Sequence, residues 1–292
     1  MSKTKKLLNT SNSSNTSNTS NSTEIQHIKI HKLISKRGYT SLRKAEELIK
    51  KGEVKVNGEI AHIGQLVPFS ANITINGEEV LDEVIKDRTY IINKPRGVEC
   101  TRESFKNFRK TIYSLLPKDS RLKTVGRLDA STTGLLLLTT HGKLLNSIIH
   151  PSSNISKFYI VGLQVKLNSS KMDVLLKRGV TIKYTISKAI SITSIKPPLS
   201  VPATNLQLKK LYWYEVEVQE GKKHIIKELF KAVGCRVEIL HRSRIGHLHL
   251  KKLSLKEGQY VEIGTKSKLI EIMNQIGLSK SEIEENILSY EF

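Results

Sequence analysis

Gly126-Arg127-Leu128-Asp129-Ala130-Ser131-Thr132-Thr133-Gly134-Leu135-Leu136-Leu137-Leu138-Thr139 is the stretch that decides the fold. Four consecutive leucines leave no polar face for water, the pattern of a strand covered on both sides. Directly ahead of them stand Arg127 and Asp129, in a loop of small residues. A carboxylate beside a buried strand is costly unless something pairs with it. Asp129 is therefore either put to use or tied into its own loop by hydrogen bonds. The residues alone leave both readings open.

The 292 residues give room for two or three domains, each with a core. Lys and Arg total 48 against 27 Asp and Glu, a formal charge of +21 that points to a polyanionic partner, nucleic acid before membrane. Apolar runs are only a few residues long, too short to span a bilayer, and the start carries no secretory apolar segment. Cys100 and Cys235 lie far apart without a C-x-x-C pair, so they read as reduced packing residues of a cytosolic protein, with no zinc. His247 and His249 share one strand face and read as solvated residues before metal ligands. Phosphate-loop, dinucleotide and serine-hydrolase motifs are all missing from the sequence, which argues against nucleotide cofactors and a serine nucleophile.

Residues 1–23, rich in Ser, Asn and Thr, cannot bury enough apolar surface to fold. Residues 28–80 read as a separate module. A basic helix runs over Ile28–Lys36 and ends at Gly38; Ser41 caps a second, Leu42–Lys51, whose inner face is Leu42, Ala45, Leu48 and Ile49. Val54/Val56 and Ile73/Ile75 alternate as strands, each followed by an Asn-Gly hairpin turn. Lys32, Arg37, Arg43 and Lys44 cluster there, as a solvated face or an RNA footprint.

After a charged linker at 81–88, a strand at Tyr90–Ile92 runs into the turn Asn93-Lys94-Pro95-Arg96-Gly97. Helices are expected at Thr111–Leu116, within a basic 102–124 stretch, at Gly142–Ile149 and over 168–178. A further one carries Ile225, Ile226, Leu229, Phe230 and Val233 on one face and is capped by Gly234. Strands are expected at Lys157–Val161, 179–195, Trp213–Val218, Val237–Leu240 and His247–Leu250, with a loop at Pro197, Pro198 and Pro202. Residues 265–292 read as helical.

Two resemblances organise these elements. The run Lys32-Leu33-Ile34-Ser35 … Ser41-x-Arg43-x-Ala45-Glu46 … Val54-x-Val56-Asn57-Gly58 resembles the S4 type of RNA-binding domain. Gly126-Arg127-Leu128-Asp129-x-x-Thr132-Thr133-Gly134-Leu135 resembles the signature of the ribosomal RNA pseudouridine synthases, the family of small-subunit synthase A and large-subunit synthases B, E and F. Asn93-Lys94-Pro95-x-Gly97, Lys157-Phe158-Tyr159-x-Val161, the block from Glu220-Gly221-Lys222-x-His224-x-x-Lys227 to Gly234, and Leu240-His241-Arg242 agree with that family in order and spacing.

The resemblance implies an α+β fold: a small N-terminal αα-β RNA-binding domain, then a catalytic domain with a central mixed, mostly antiparallel sheet. Its divisions are a tail at 1–23, the RNA-binding domain at 28–80, the catalytic domain at 88–263 and a helical extension at 265–292. It implies isomerisation of uridine to pseudouridine in ribosomal RNA, the large subunit slightly preferred on length, without metal or cofactor. The partner would be ribosomal RNA or a pre-ribosomal particle, met by a cytoplasmic monomer. Small-subunit RNA is the alternative target, and a non-catalytic RNA-binding or ribosome-assembly factor on the same fold is the alternative function.

By the same resemblance Asp129 would be the essential acid, attacking ribose or base. Lys227 would pair with it, and Tyr159 would stack on the target base and help remove its proton. Arg127, Lys94 and His224, with Lys32, Arg37, Arg43 and Lys44, would contact RNA. Ile225 stands where the family usually has Gln, and Glu228 where it has a basic residue.

Overall fold

A computed structural model describes residues 27–81, 85–103, 109–198 and 211–292. The expected tail at 1–23, Pro202, and parts of the linker and of the basic 102–124 stretch lie outside these residues. The first module consists of β1 (His27–Lys29), α1 (Ile30–Lys36), α2 (Leu42–Lys50), β2 (Val54–Val56), β3 (Glu59–Ile60), β4 (Leu66–Pro68), β5 (Ile73–Ile75) and β6 (Glu78–Glu79). Its first helix is shorter than the spacing predicts, because His27–Lys29 pair with Leu66–Pro68. Ile28 is β-branched and packs on the module's core from that strand. Ser41 accepts the Lys44 N–H to cap α2. Asn57-Gly58 and Asn76-Gly77, all at positive φ, close the β2–β3 and β5–β6 hairpins. Ile30, Leu33, Ile34, Ala45, Ile49, Val54, Ile73 and Ile75 meet in a core of the module's own.

The remaining elements are β7 (Thr89–Lys94), β8 (Lys123–Thr124), β9 (Thr133–Thr139), α3 (Gly142–Ile149), β10 (Lys157–Leu163), α4 (Ser169–Asp173), β11 (Val180–Ile182), β12 (Thr185–Ser187), β13 (Ser191–Ile195) and β14 (Tyr212–Val218). They are followed by α5 (Ile225–Ala232), β15 (Val237–Ile245), β16 (Leu248–His249), β17 (Tyr260–Glu262), α6 (Lys266–Ile276) and α7 (Lys280–Ser289). The main sheet has the order β13-β14-β10-β15-β9-β7-β17. Its neighbours are antiparallel except β9 and β15, which run parallel. Three expectations shift in detail. The helix at Thr111–Leu116 is a 3₁₀ stretch, Ile112–Leu115, and α4 runs into a π-helical turn at Val174–Arg178. The strand expected at Val237–Leu240 continues to Ile245, because β10 pairs with its whole length. No helix among the described residues is long and apolar enough to cross a membrane.

The leucine run explains why β9 sits inside. Successive side chains of a strand point to opposite faces. Leu135 and Leu137 join Ile91, Leu144, Leu269, Met273 and Ile276 in one core, whereas Leu136 and Leu138 join Tyr90, Ile92, Ile112, Leu122 and Leu128 in another. Helices α6 and α7 belong to the first of these cores.

β9 and β15 pair only through Thr133 with His241 and Gly134 with Arg242. Gly134 has φ +109°, and a Cβ there would lie 2.3 Å from the Arg242 carbonyl oxygen. Arg242 is buried, and its Nε donates to the Leu135 carbonyl at 2.8 Å. This joint fixes one half of the sheet against the other. Gly134→Ala should therefore lose about 2 kcal/mol or more of stability from backbone strain and overpacking. Urea unfolding measures it; a variant as stable as the parent would show that the joint accepts a side chain.

Candidate active site

The loop before β9 is pinned at three points. The Thr132 N–H donates to the Asp129 carbonyl at 3.0 Å, and the Gly97 N–H to the Ala130 carbonyl at 2.7 Å. Thr133 Oγ1 and His241 Nδ1 share a 2.8 Å hydrogen bond. Burial pushes the His241 imidazole down to about 4, so at neutral pH the ring beneath the loop is uncharged.

So held, Asp129 presents its carboxylate to the first turn of α5. Lys227 Nζ donates to Oδ2 at 2.6 Å and to Ser131 Oγ at 3.0 Å. His224 Nε2 lies 3.0 Å from Oδ1. His224 takes the left-handed backbone region, φ 62°, immediately before the helix. Each carboxylate oxygen thus has its own nitrogen partner, and the positive end of α5 adds to the field that favours the anion.

Around the carboxylate opens a cleft of about 550 Å³, lined among others by Arg127, Lys157, Tyr159, Lys222, His224 and Arg242. Lys157 and Tyr159 are two apart on β10, so both face it. Lys157 Nζ donates to the Gln219 carbonyl at 3.1 Å, and burial, with the Arg242 charge adding to it, pushes the ammonium down to about 8. Arg127 is exposed at the rim.

Five of the expected residues, Asp129, Tyr159, Lys227, Arg127 and His224, come together in or against this cleft. His224, expected to touch RNA, lies against Asp129 and is exposed on the cleft lining. Two expected RNA contacts are closed to RNA. Lys94 is wholly buried and donates to the Pro95 carbonyl at 2.8 Å; burial pushes it down to about 8, against the pull of Cys100, Asp129 and Glu257. Arg37 is buried and donates to the Ala71 and Phe69 carbonyls at 2.9 and 2.7 Å, stapling the first module from within. A cation removed from water needs such acceptors. Lys32, Arg43 and Lys44 are exposed on that module, away from the cleft lining. Lys157, Arg242 and Ser131 were given no role by the sequence reading. The period of two shared with Tyr159 is the signal that could have found Lys157; nothing local marks Ser131.

Two family models match the chain, RNA pseudouridylate synthase over residues 88–232 and S4 domain over residues 28–73. The chain is 37% identical over 245 residues to ribosomal large subunit pseudouridine synthase B of Buchnera aphidicola subsp. Acyrthosiphon pisum (strain APS), covering 82% of this chain and 94% of that one. It is 36% identical over 243 residues to the protein of the same name from Buchnera aphidicola subsp. Schizaphis graminum (strain Sg), covering 81% and 90%. A crystal structure of a pseudouridylate synthase superposes with a TM-score of 0.52 at 26% identity, covering 89% of this chain and 99% of that one.

The buried imidazole of His241 has a consequence for stability in acid. Its value falls from 6.5 to about 4 on folding, so below pH 6.5 the unfolded chain takes up a proton that the folded chain refuses. Stability drops as pH falls from about 6.5 to about 4, by on the order of 1 kcal/mol per pH unit. In urea titrations at pH 7, 5.5 and 4.5, His241→Asn should lose less stability over this range than the parent. Parallel losses in the two proteins would contradict the assignment.

Proposed function

The chain belongs to the RNA pseudouridylate synthase family, and we propose that it isomerises uridine to pseudouridine in ribosomal RNA, of the large subunit, with Asp129 as its essential group. The observation that carries this reading is the Asp129 carboxylate, held between Lys227 and His224 in a cation-rich cleft beside Tyr159. The large-subunit assignment follows the names of the relatives, which cover nearly their full length with this chain.

In the reaction the bond from ribose C1′ to uracil N1 breaks and one from C1′ to C5 forms. C5 loses its proton and N1 gains one. Atoms and electrons balance without an oxidant or reductant, so the reading calls for no cofactor. Asp129 supplies an anionic oxygen, to the ribose or to the base. Lys227 keeps the carboxylate charged as RNA covers the cleft and water leaves. His224 holds the other oxygen until substrate arrives. Tyr159 stacks on the uracil and assists removal of the C5 proton. A uridine in folded RNA must be flipped out at a cost of a few kcal/mol, and Arg127 at the rim is placed to fill the gap it leaves.

Lys32, Arg43 and Lys44 grip phosphates from an RNA-binding domain at 28–80, ahead of a catalytic domain at 88–263 and a helical segment at 265–292. The reading places a monomer in the cytoplasm, a reducing compartment suited to two free, buried cysteines. The departures from the family pattern leave the chemistry intact. Ile225 is buried in the core beside Ile226 and Leu229, and Asp129 keeps its Lys227 partner. That favours an enzyme over a binding factor.

Release of label from RNA carrying tritium at C5 of uridine measures the reaction. Asp129→Asn should lower kcat by about 10³-fold or more while still binding RNA; turnover at the parental rate would sink the proposal. Lys227→Met should lower kcat by about 10²-fold and His224→Ala by less, on the scale of removing one positioned group.

A further inference from the structure

Between α4 and β13 the strands β11 and β12 form a hairpin whose two-residue turn is Lys183-Tyr184. Both residues have positive φ, 48° and 69°. Such a turn matches the twist of a hairpin but strains any residue with a Cβ, which is why Asn-Gly is favoured there. This chain follows that preference in its first module, at Asn57-Gly58 and Asn76-Gly77. At 183–184 it sets a lysine and a tyrosine instead, and Tyr184 is fully exposed, at 101% of its reference area. A bare aromatic ring on a strained turn adds nothing to the stability of the fold.

The hairpin is fastened to the lip of the cleft. Lys222 Nζ donates to Ser187 Oγ at 2.6 Å, and Ser187 Oγ donates to Glu220 Oε2 at 3.0 Å. Glu220 and Lys222 both line the cleft. Ile182 packs in the same core as Ile226 and Leu229 of α5, the helix that carries Lys227. Tyr184 stands three positions along the strand from Ser187, a reach of about 10 Å. The surrounding chain is largely one-signed: between Asp173 and Glu215 the sequence contains no acidic residue but six lysines and one arginine, of which Lys177 and Arg178 pair with Asp173. A polyanion fits that charge; a protein surface of mixed sign does not.

We propose that the Lys183-Tyr184 turn is a second RNA contact, in which Tyr184 stacks on an unpaired base flanking the target uridine and Lys183 meets a neighbouring phosphate. Aromatic faces accept any base, so the contact adds grip without reading sequence. The proposal rests on the RNA reading of the cleft given above.

The test uses the full chain and in-vitro transcribed large-subunit ribosomal RNA labelled with tritium at C5 of uridine. Direct binding of an end-labelled single-stranded uridine oligomer is measured in parallel. Tyr184→Ala should raise KM and the oligomer Kd about 10-fold, with the change carried by KM rather than kcat, and Tyr184→Trp should restore both. The double variant K183N/Y184G should melt at a higher temperature than the parent, because strain is relieved, and still bind RNA more weakly. A purely structural turn would show the opposite coupling. If the parent turns over and Tyr184→Ala matches its KM and Kd within twofold, the contact is refuted and the cleft reading stands. If the parent releases no label, the proposed function fails, and an unchanged oligomer Kd in Tyr184→Ala then refutes the contact independently.

Discussion

The parallel contact of β9 with β15, two residue pairs long, is what the site depends on. Asp129 comes from the loop ahead of β9, whereas Tyr159, His224 and Lys227 come from β10 and α5 in the other half of the sheet. Gly134 lets the two backbones close to a distance that no Cβ would permit, and Arg242 ties across the joint to Leu135. The 2.6 Å bond from Lys227 to Asp129 therefore reports the geometry of the joint. Hydrogen bonds weaken steeply once stretched or bent, so a small slip there would separate carboxylate and ammonium. The buried leucines on either face of β9 are what keep such a slip from happening.

Local physics made the scaffold legible. The leucine run, the Ser41 cap and the Asn-Gly turns each carry their structural meaning within a few residues, and each is found as read. The site was another matter. Asp129 and Lys227 stand 98 residues apart, and no periodicity spans such a distance; only the resemblance of several blocks to one family brought them together. Charge was the poorest guide. Lys94 and Arg37 were expected to contact RNA, yet both are buried against backbone carbonyls. Burial depends on what the rest of the chain places over a residue, and a lysine's sequence neighbours do not reveal that. The contact of His224 with Asp129 was not legible either, since it depends on a left-handed backbone residue ahead of α5.

A buried cation also bears on the electrostatics of the cleft. Arg242 donates to the Leu135 carbonyl oxygen, and a carbonyl satisfies a donor without cancelling its charge. Arg242 therefore leaves a positive potential in the cleft lining, where Lys157 feels it. Walls of low dielectric focus such a field. On the proposed function the cations work in two ways: exposed lysines of the first module meet phosphate directly, and the interior Arg242 biases the cleft toward anions from within its wall.

The first module is also tied to the sheet. Gly38 approaches Ile85 so closely that a Cβ would lie 2.2 Å from its side chain. Arg121 donates to the carbonyls of Ile85 and Lys86 at 3.2 and 2.8 Å, and Lys36 pairs with Glu291 at 2.5 Å near the end of the chain. The Lys36 pair is partly exposed and contributes little by itself. The Arg121 bonds are more sheltered, and they clamp the connecting backbone at two successive carbonyls. On the proposed function this joint has a role in selection. A phosphate grip held at a set distance from Asp129 admits a uridine only when the RNA fold places it at the matching distance, so the module can choose a target without reading its bases.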